Sequence, residues 1–490
     1  MNRHYHVRPS HRSGPASPAV PNGHVRFAVP PGPGDPVSSG GFGGVVRSPP
    51  LYAAILALCV AAGCAGSSEA KDIAYSVDPN IATVIHVTWS TAGASTQQIA
   101  FGVTDGYGML TPAESAATTS HEATLLGLPA DTAVHFGVVG TDGTPESDDQ
   151  TAQTNALPSG LMTMTLDSPI TNPNVGPFLL TSLTDVGAET ASILVLDTSG
   201  NIVWYQEVAA RVLSVRPTPS GGGVGYVAEH PNVDASTNTV EAVQFTGIDT
   251  SIPLPWAHHD LQPINDTTWA VIQHDFKVVD GTDVAGDRLV AVGDDGGKRL
   301  IWDAFDTLTV ARNDGWNMET VNGAVDWIHA NGVAFDPTEG TYLLSLFASD
   351  EVVKIDGPTG TNDWVLGGTD SNFTFTDDLT FGPQHAPEFF SGGVRLFDNA
   401  TSTGSMAAEY TLDTTAMTAT RTWDYQPQEP LWTPVLGDVH RFDDGSALTS
   451  WGVTNQIVAC DADGNPAGNL SATPGEFVGQ VTVLPSLYPH

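Results

Sequence analysis

The sequence predicts an all-β protein, a six-bladed β-propeller preceded by a β-sandwich. Three observations carry this. Gly and Pro are abundant (51 and 35 of 490 residues), Thr and Val are common, and no long stretch repeats apolar residues at helical spacing. A strand, an Asp-led turn and a second strand ending at Trp recur: Val195 to Trp204 is the clearest copy, and looser ones end at Trp302, Trp364 and Trp423. Histidines 259, 329, 385 and 440 open strand–turn–strand units at separations of 70, 56 and 55.

Residues 1–50 hold 10 Pro, 8 Gly and 6 Ser and are expected to be disordered, because they cannot bury enough apolar surface to order. Leu51 to Ala62 is an apolar run too short to span a bilayer, preceded by Arg47 and followed by Gly63-Cys64. Residues 51–64 therefore read as a signal peptide. Val60 to Cys64 resembles a bacterial lipobox with Ala61 in the usual Leu position, which implies lipidation of Cys64 and an exported, membrane-anchored protein, periplasmic or cell-surface. A plain secretory signal is the alternative. A signal this late places the true start nearer Val45 or Val46. Residues 65–490 keep 12 basic and 54 acidic side chains, a net charge of −42. Such a surface repels phosphate backbones and anionic lipid, which argues against nucleic acid and leaves a lipid anchor as the only membrane attachment. Cys460 is then the single cysteine and reads as a small buried hydrophobe.

Residues 65–158 alternate in short segments such as Val84 to Trp89 and Ala133 to Val138, separated by turns such as Thr104-Asp105-Gly106. Short strands around one early Trp indicate a sandwich. Leu125 to Thr132 resembles the corner of fibronectin type III domains, modules that serve mostly as spacers or interaction platforms. His86, His121 and His135 read as strand or edge residues without chemistry. Asn155 to Ser159 is the linker.

Residues 159–490 carry both repeats, and at about 55 residues per blade the region gives six blades. The wide gap between Trp204 and Trp302 is about two periods, so one copy has diverged. One residue per blade at the same end of the same strand points to the central channel, so the histidines are expected to meet at one mouth. Arg216, 43 positions before His259, takes the equivalent place in the preceding blade. Such a cluster binds a divalent metal, binds an oxyanion, includes a nucleophile, or only hydrogen-bonds neighbouring blades. Metal is disfavoured, since no tight ligand pair stands here beyond the adjacent His258-His259. Asp-rich turns such as Asp461 to Asn465 read as hairpin chemistry rather than calcium sites.

Asp326-Trp327-Ile328-His329-Ala330-Asn331, followed by Asp336-Pro337, Tyr342 to Ser345, Val352 to Asp356 and Trp364 to Gly368, resembles the central signature of bacterial arylsulfotransferases. Gln384-His385 with Leu396 to Asn399, and His259-Asp260, match further motifs in the right order. The resemblance implies transfer of a sulfuryl group from a phenolic sulfate ester to a phenol without a nucleotide or other cofactor. His385 matches the nucleophile that becomes a sulfohistidine; His259, His329 and Asn331 match residues that hold sulfuryl oxygens or move protons. A homodimer is one assembly the resemblance admits.

One position departs from the family. Phe347 stands where members carry an Arg that helps bind the sulfuryl group, a loss worth about 2–4 kcal/mol of transition-state stabilisation. Arg216, Arg395 or His440 then supplies the charge, or the substrate differs, or catalysis is lost. A non-catalytic propeller that binds a ligand or partner at the cell surface stays open beside the enzyme.

Overall fold

A computed structural model describes residues 68–490 apart from 232–233, 248, 311–319 and 402–403. The segment 1–50, the signal segment 51–64 and Cys64 lie outside the described residues.

In Ile85–Ser95 the first residues alternate, Ile85, Val87 and Trp89 inward and Thr88 outward, as a strand with one buried face requires. It lies between Lys71–Val77 and Thr118–Leu125 in one antiparallel sheet. Met109–Leu110, Gln97–Gly102, Ala133–Gly140 and Gln150–Gln153 form the facing sheet, in that order. Trp89, Phe101, Leu125 and Phe136 fill the space between them. His86, His121 and His135 each hydrogen-bond a carboxylate, of Asp78, Glu114 and Asp149 respectively, so each ring is satisfied locally.

Six further sheets follow, one per blade, antiparallel except where Ala324–Asp326 and Thr374–Phe375 add in parallel to blades 3 and 5. Blade 1 holds Phe178–Asp185, Thr190–Asp197 and Ile202–Val208, and blade 2 runs from Val215–Pro217 to Asp249–Pro253. Blade 3 is built on Ala257–Asn265, Thr268–Val279, Thr282–Gly293 and Lys298–Asp303. Blade 4 runs from Ala330–Asp336 to Thr361–Gly367, blade 5 from Gln384–Phe390 to Thr418–Tyr425, and blade 6 from Asp438–Arg441 to Pro466–Ala472. The two ends of the region clasp the ring. Met164–Ser168 adds to Pro466–Ala472 at the outside of blade 6, and Phe477–Val478 and Thr482–Leu484 add to Phe178–Asp185 of blade 1. Radial repetition leaves each blade only short edges, as propellers do.

Trp204, Trp302, Trp364 and Trp423 sit on the last strands of blades 1, 3, 4 and 5. The diverged copy is blade 2, whose last strand Asp249–Pro253 has no Trp. Trp204 donates its indole N–H to Phe245 O in the next blade, Trp302 donates to Asn362 Oδ1 at 2.7 Å, and Arg441 lies over the Trp423 ring. These large side chains tie blades 1, 3 and 5 to their successors. At the axis the inner strands approach closely: a Cβ on Gly332 would lie 2.7 Å from Pro387 Cδ, so only glycine fits there.

The sandwich is fastened to the propeller by buried hydrogen bonds. Ala82 N donates to Tyr205 Oη at 2.8 Å, and Tyr488, near the C-terminus, donates to Thr124 O at 2.8 Å and accepts from Leu126 N at 3.0 Å.

Candidate active site

Three inner strands begin with the same local irregularity. The ladder slips between Ala257 and Leu261, between Ala330 and Gly332, and between His385 and Glu388. His259, His329 and Ala386 carry φ of 59°, 50° and 47°, the left-handed region that costs a non-glycine residue about 1–3 kcal/mol. A bulge of this kind turns a side chain out of the pleat, and here it aims the imidazoles at the axis.

The predicted residues split into two groups. His259, Asn331 and His385 line a single cavity of about 10 Å³ with Ser214, Leu436 and Gln480, room for about one water. The His259 and His329 rings meet edge to face at 4.8 Å. Phe347 stands between His329 and His385, 5.7 and 5.4 Å from them, so it closes the space where the expected guanidinium would lie. Arg216 and His440 are not brought to this cluster. They line a separate cavity of about 350 Å³ with Glu388, Phe389 and Asp438. Arg216 is held there by Asp260, through Nε to Oδ1 at 3.3 Å and a terminal nitrogen to Oδ2 at 3.0 Å. Arg395 is committed to Glu388 and Glu409. None of the three residues named as substitutes therefore reaches the histidines. Asp260 anchors the layer between the cavities: it also accepts from Ser214 Oγ, Leu261 N and Val333 N at 2.5, 2.9 and 3.0 Å.

Hydrogen bonds fix the protons. Asn399 gives both amide hydrogens to carbonyls, Thr433 O at 2.7 Å and Leu436 O at 2.6 Å, which orients its oxygen toward His385 Nδ1 at 2.8 Å. His385 Nδ1 must donate, so its Nε2 carries the lone pair, and Leu436 N donates to it at 3.1 Å. Burial, opposed by the Asn399 bond, pushes the His385 pKa down to about 4, so the ring is neutral at pH 7. His329 Nδ1 lies 2.6 Å from Asp326 Oδ2, whose other oxygen is buried without a partner. Asn331 donates to Gln384 O at 2.7 Å, and its own oxygen is buried without a partner.

Several residues here were missed by sequence reasoning. Arg211 pairs with Glu229 at 2.5 Å, and the other Glu229 oxygen accepts His259 N–H at 2.7 Å. After burial and the neighbouring histidines, the Arg211 charge helps hold the His259 pKa well below its ordinary value, so Arg211 is a cation at the cluster. Neither Arg211 nor Glu229 sits in a motif that could have flagged it. Behind His259, its neighbour His258 reaches the buried Asp287. The His258-His259 dipeptide was visible in sequence, but its carboxylate lies 29 residues on.

A neutral imidazole whose buried, unprotonated Nε2 accepts only the Leu436 N–H, flanked by two more imidazoles, is chemically suited to attack an electrophile and to move a proton once that contact gives way. The family model described as Arylsulfotransferase (ASST) matches residues 149–463 of this chain. No curated protein matches it. Among solved structures, a nidogen/laminin complex matches at 13% identity and TM-score 0.38, covering 63% of this chain and 99% of that one. A putative 6-phosphogluconolactonase from Bacteroides uniformis matches at 12% and 0.37, over 62% and 99%. A streptogramin B lyase matches at 12% and 0.34, over 64% and 87%.

Proposed function

The chain belongs to the arylsulfotransferase family, and from that premise we propose that it moves a sulfuryl group from a phenolic sulfate ester to a phenol through a sulfohistidine on His385. The observation that carries the proposal is the tautomer of His385: Asn399 holds the proton on Nδ1 and leaves Nε2 as a neutral nucleophile. In the first half-reaction the Nε2 lone pair forms a bond to sulfur while the S–O bond to the phenolic oxygen breaks, and the phenolate leaves with that electron pair. In the second, an acceptor phenol gives its proton to a neighbouring unprotonated imidazole as its oxygen attacks sulfur, the N–S bond breaks, and its electron pair returns to Nε2. Charge grows on the sulfuryl and phenolic oxygens in each step, and preplaced donors stabilise it. The second amide hydrogen of Asn331 is suited to that task, and Leu436 N–H becomes free for it once His385 Nε2 bonds to sulfur.

Mass spectrometry after exposure to 4-nitrophenyl sulfate tests this. A sulfuryl adduct on His385, absent from His385→Ala, and nucleotide-free transfer to a second phenol are expected; no adduct and no transfer with several donors would overturn it.

One observation favours a second reading, a ligand-binding propeller without chemistry. Phe347 and a cavity of about 10 Å³ leave no space for a sulfuryl group in this conformation. On the first reading Phe347 or the segment carrying Leu436 moves when substrate enters. Ligand binding that survives His385→Ala without an adduct would decide for the second. We further propose export and anchoring through a lipid on Cys64; Cys64→Ser should then move the protein from the membrane to the soluble fraction.

A further inference from the structure

His258 is buried and spans two partners: its Nε2 is 3.0 Å from Asp287 Oδ1, and its Nδ1 is 2.8 Å from His259 Nδ1. The same Asp287 oxygen is 2.7 Å from His274 Nδ1, and Oδ2 accepts Ala330 N–H at 2.6 Å. Three potential ligands this close, two histidines and a carboxylate, suggest a metal centre. The arrangement rejects one, because the point shared by the two ring nitrogens is already filled by Asp287 Oδ1. In addition, the His258 and His274 rings stack at 3.7 Å and 15°, so an ion could not lie in both ring planes.

The hydrogen bonds instead define a chain of protons. A carboxylate only accepts, so His258 Nε2 and His274 Nδ1 both carry hydrogen. Burial would raise the Asp287 pKa, but the two histidines outweigh it and hold the group far below the usual carboxylate range. Burial would likewise lower His274, yet Asp287 outweighs it and raises that pKa, while burial and the His274 charge lower His258. His258 is then neutral with its lone pair on Nδ1, and His259 must donate Nδ1–H to it. That leaves Nε2 of His259 unprotonated on a ring that lines the His385 cavity, and Nε2 makes no hydrogen bond among the described residues.

We propose that Asp287, His258 and His259 form a proton relay in which His259 Nε2 is the general base for the acceptor phenol and His258 and Asp287 are its positioning residues. The inference rests on the sulfuryl-transfer reading above. As the phenol oxygen bonds to sulfur and the N–S bond to His385 breaks, the phenolic proton passes to His259 Nε2. The His259 Nδ1 proton then shifts toward His258 Nδ1, where the Asp287 charge stabilises the resulting imidazolium. The phenolate of the donor half-reaction leaves unprotonated, and after the acceptor half-reaction the relay hands its proton back through His259 Nε2 to that phenolate or to water, which restores neutral His258 and balances the cycle.

Two measurements on the full chain test the relay. Imidazole ¹⁵N NMR, assigned with His258→Gln and His259→Gln, should show the His259 proton on Nδ1 in the wild type and a redistribution toward Nε2 in Asp287→Asn. A proton on Nε2 in the wild type, or an unchanged spectrum in Asp287→Asn, overturns the relay whether or not the protein transfers sulfuryl groups. With 4-methylumbelliferyl sulfate as donor at pH 7, Asp287→Asn should slow transfer to phenol, which is protonated, by about 100-fold, and to pentafluorophenol, which is ionised, by less than about 3-fold. Equal losses with both acceptors would make Asp287 merely structural and overturn the relay. If the wild type transfers to neither acceptor the function reading fails, and the NMR result alone decides the relay.

Discussion

The side-chain oxygen of Asn399 lies 2.8 Å from Nδ1 of His385 and accepts its proton, and this neutral contact decides which nitrogen of the imidazole is nucleophilic. A carboxylate in the same place would pull the ring toward the imidazolium, which cannot attack. An amide fixes the tautomer without adding charge. Asn399 is itself held by two carbonyls on the segment that supplies Leu436 N–H, so the nucleophile and its neighbouring donor are set by one side chain.

Asn399→Leu should therefore lower kcat for sulfuryl transfer by about 10–100-fold, as loss of an orienting partner typically does, with a smaller change in KM. Steady-state kinetics with a 4-nitrophenyl sulfate donor checks it; an unaltered kcat would mean that the tautomer is set elsewhere.

Phe347→Arg should raise the transfer rate by about 10-fold or more, because a guanidinium between His329 and His385 would meet the sulfuryl oxygens that an aromatic ring cannot bind. Phe347→Ala, which opens the space without charge, separates access from electrostatics: a gain in both variants indicates that the ring only blocks entry.

Acid should destabilise the fold through the buried histidines. His385 titrates near pH 4 in the native protein against an ordinary 6.5, so the unfolded chain binds its proton first. The resulting stability, about 3 kcal/mol, is fully present above pH 6.5 and is lost as pH falls toward 4. His259, also depressed, acts in the same direction. Thermal unfolding between pH 7 and 4.5 should show a steep fall that flattens by about one proton in His385→Asn; an identical slope would contradict the neutral ring.

Asp260→Ala should cost about 1–3 kcal/mol in denaturant unfolding, since it removes the ion pair of the half-buried Arg216 guanidinium and strips an acceptor from the buried Val333 N–H. A loss below about 1 kcal/mol would show that solvent in the larger cavity replaces the carboxylate.

The blade repeat was legible because it depends on short-range pattern: alternating burial, Asp-led turns and a Trp on the last strand of four of the six sheets. The diverged blade was legible only as a gap in spacing. The two closing additions, Met164–Ser168 onto blade 6 and the C-terminal strands onto blade 1, left no local signature, because each pairs with residues some 300 positions away. In the site, His259, His329, Asn331 and His385 could be singled out by motif and period. Arg216 and His440 share that period yet lie in another cavity, since period fixes the blade and the inner strand but not the depth along the channel.

By itself the sequence determined an all-β chain, the number of its blades, its strong net negative charge, and which histidines resemble one family motif. Tertiary structure alone decided which imidazole nitrogens carry protons, that Phe347 closes the cavity, that Arg211 rather than Arg216 is the cation beside His259, and that Asp287 stands behind His258. The division has a physical cause. Repeat and alternation are properties of neighbours along the chain, whereas a proton's position depends on every donor and acceptor within about 3 Å, and only ring closure brings those together.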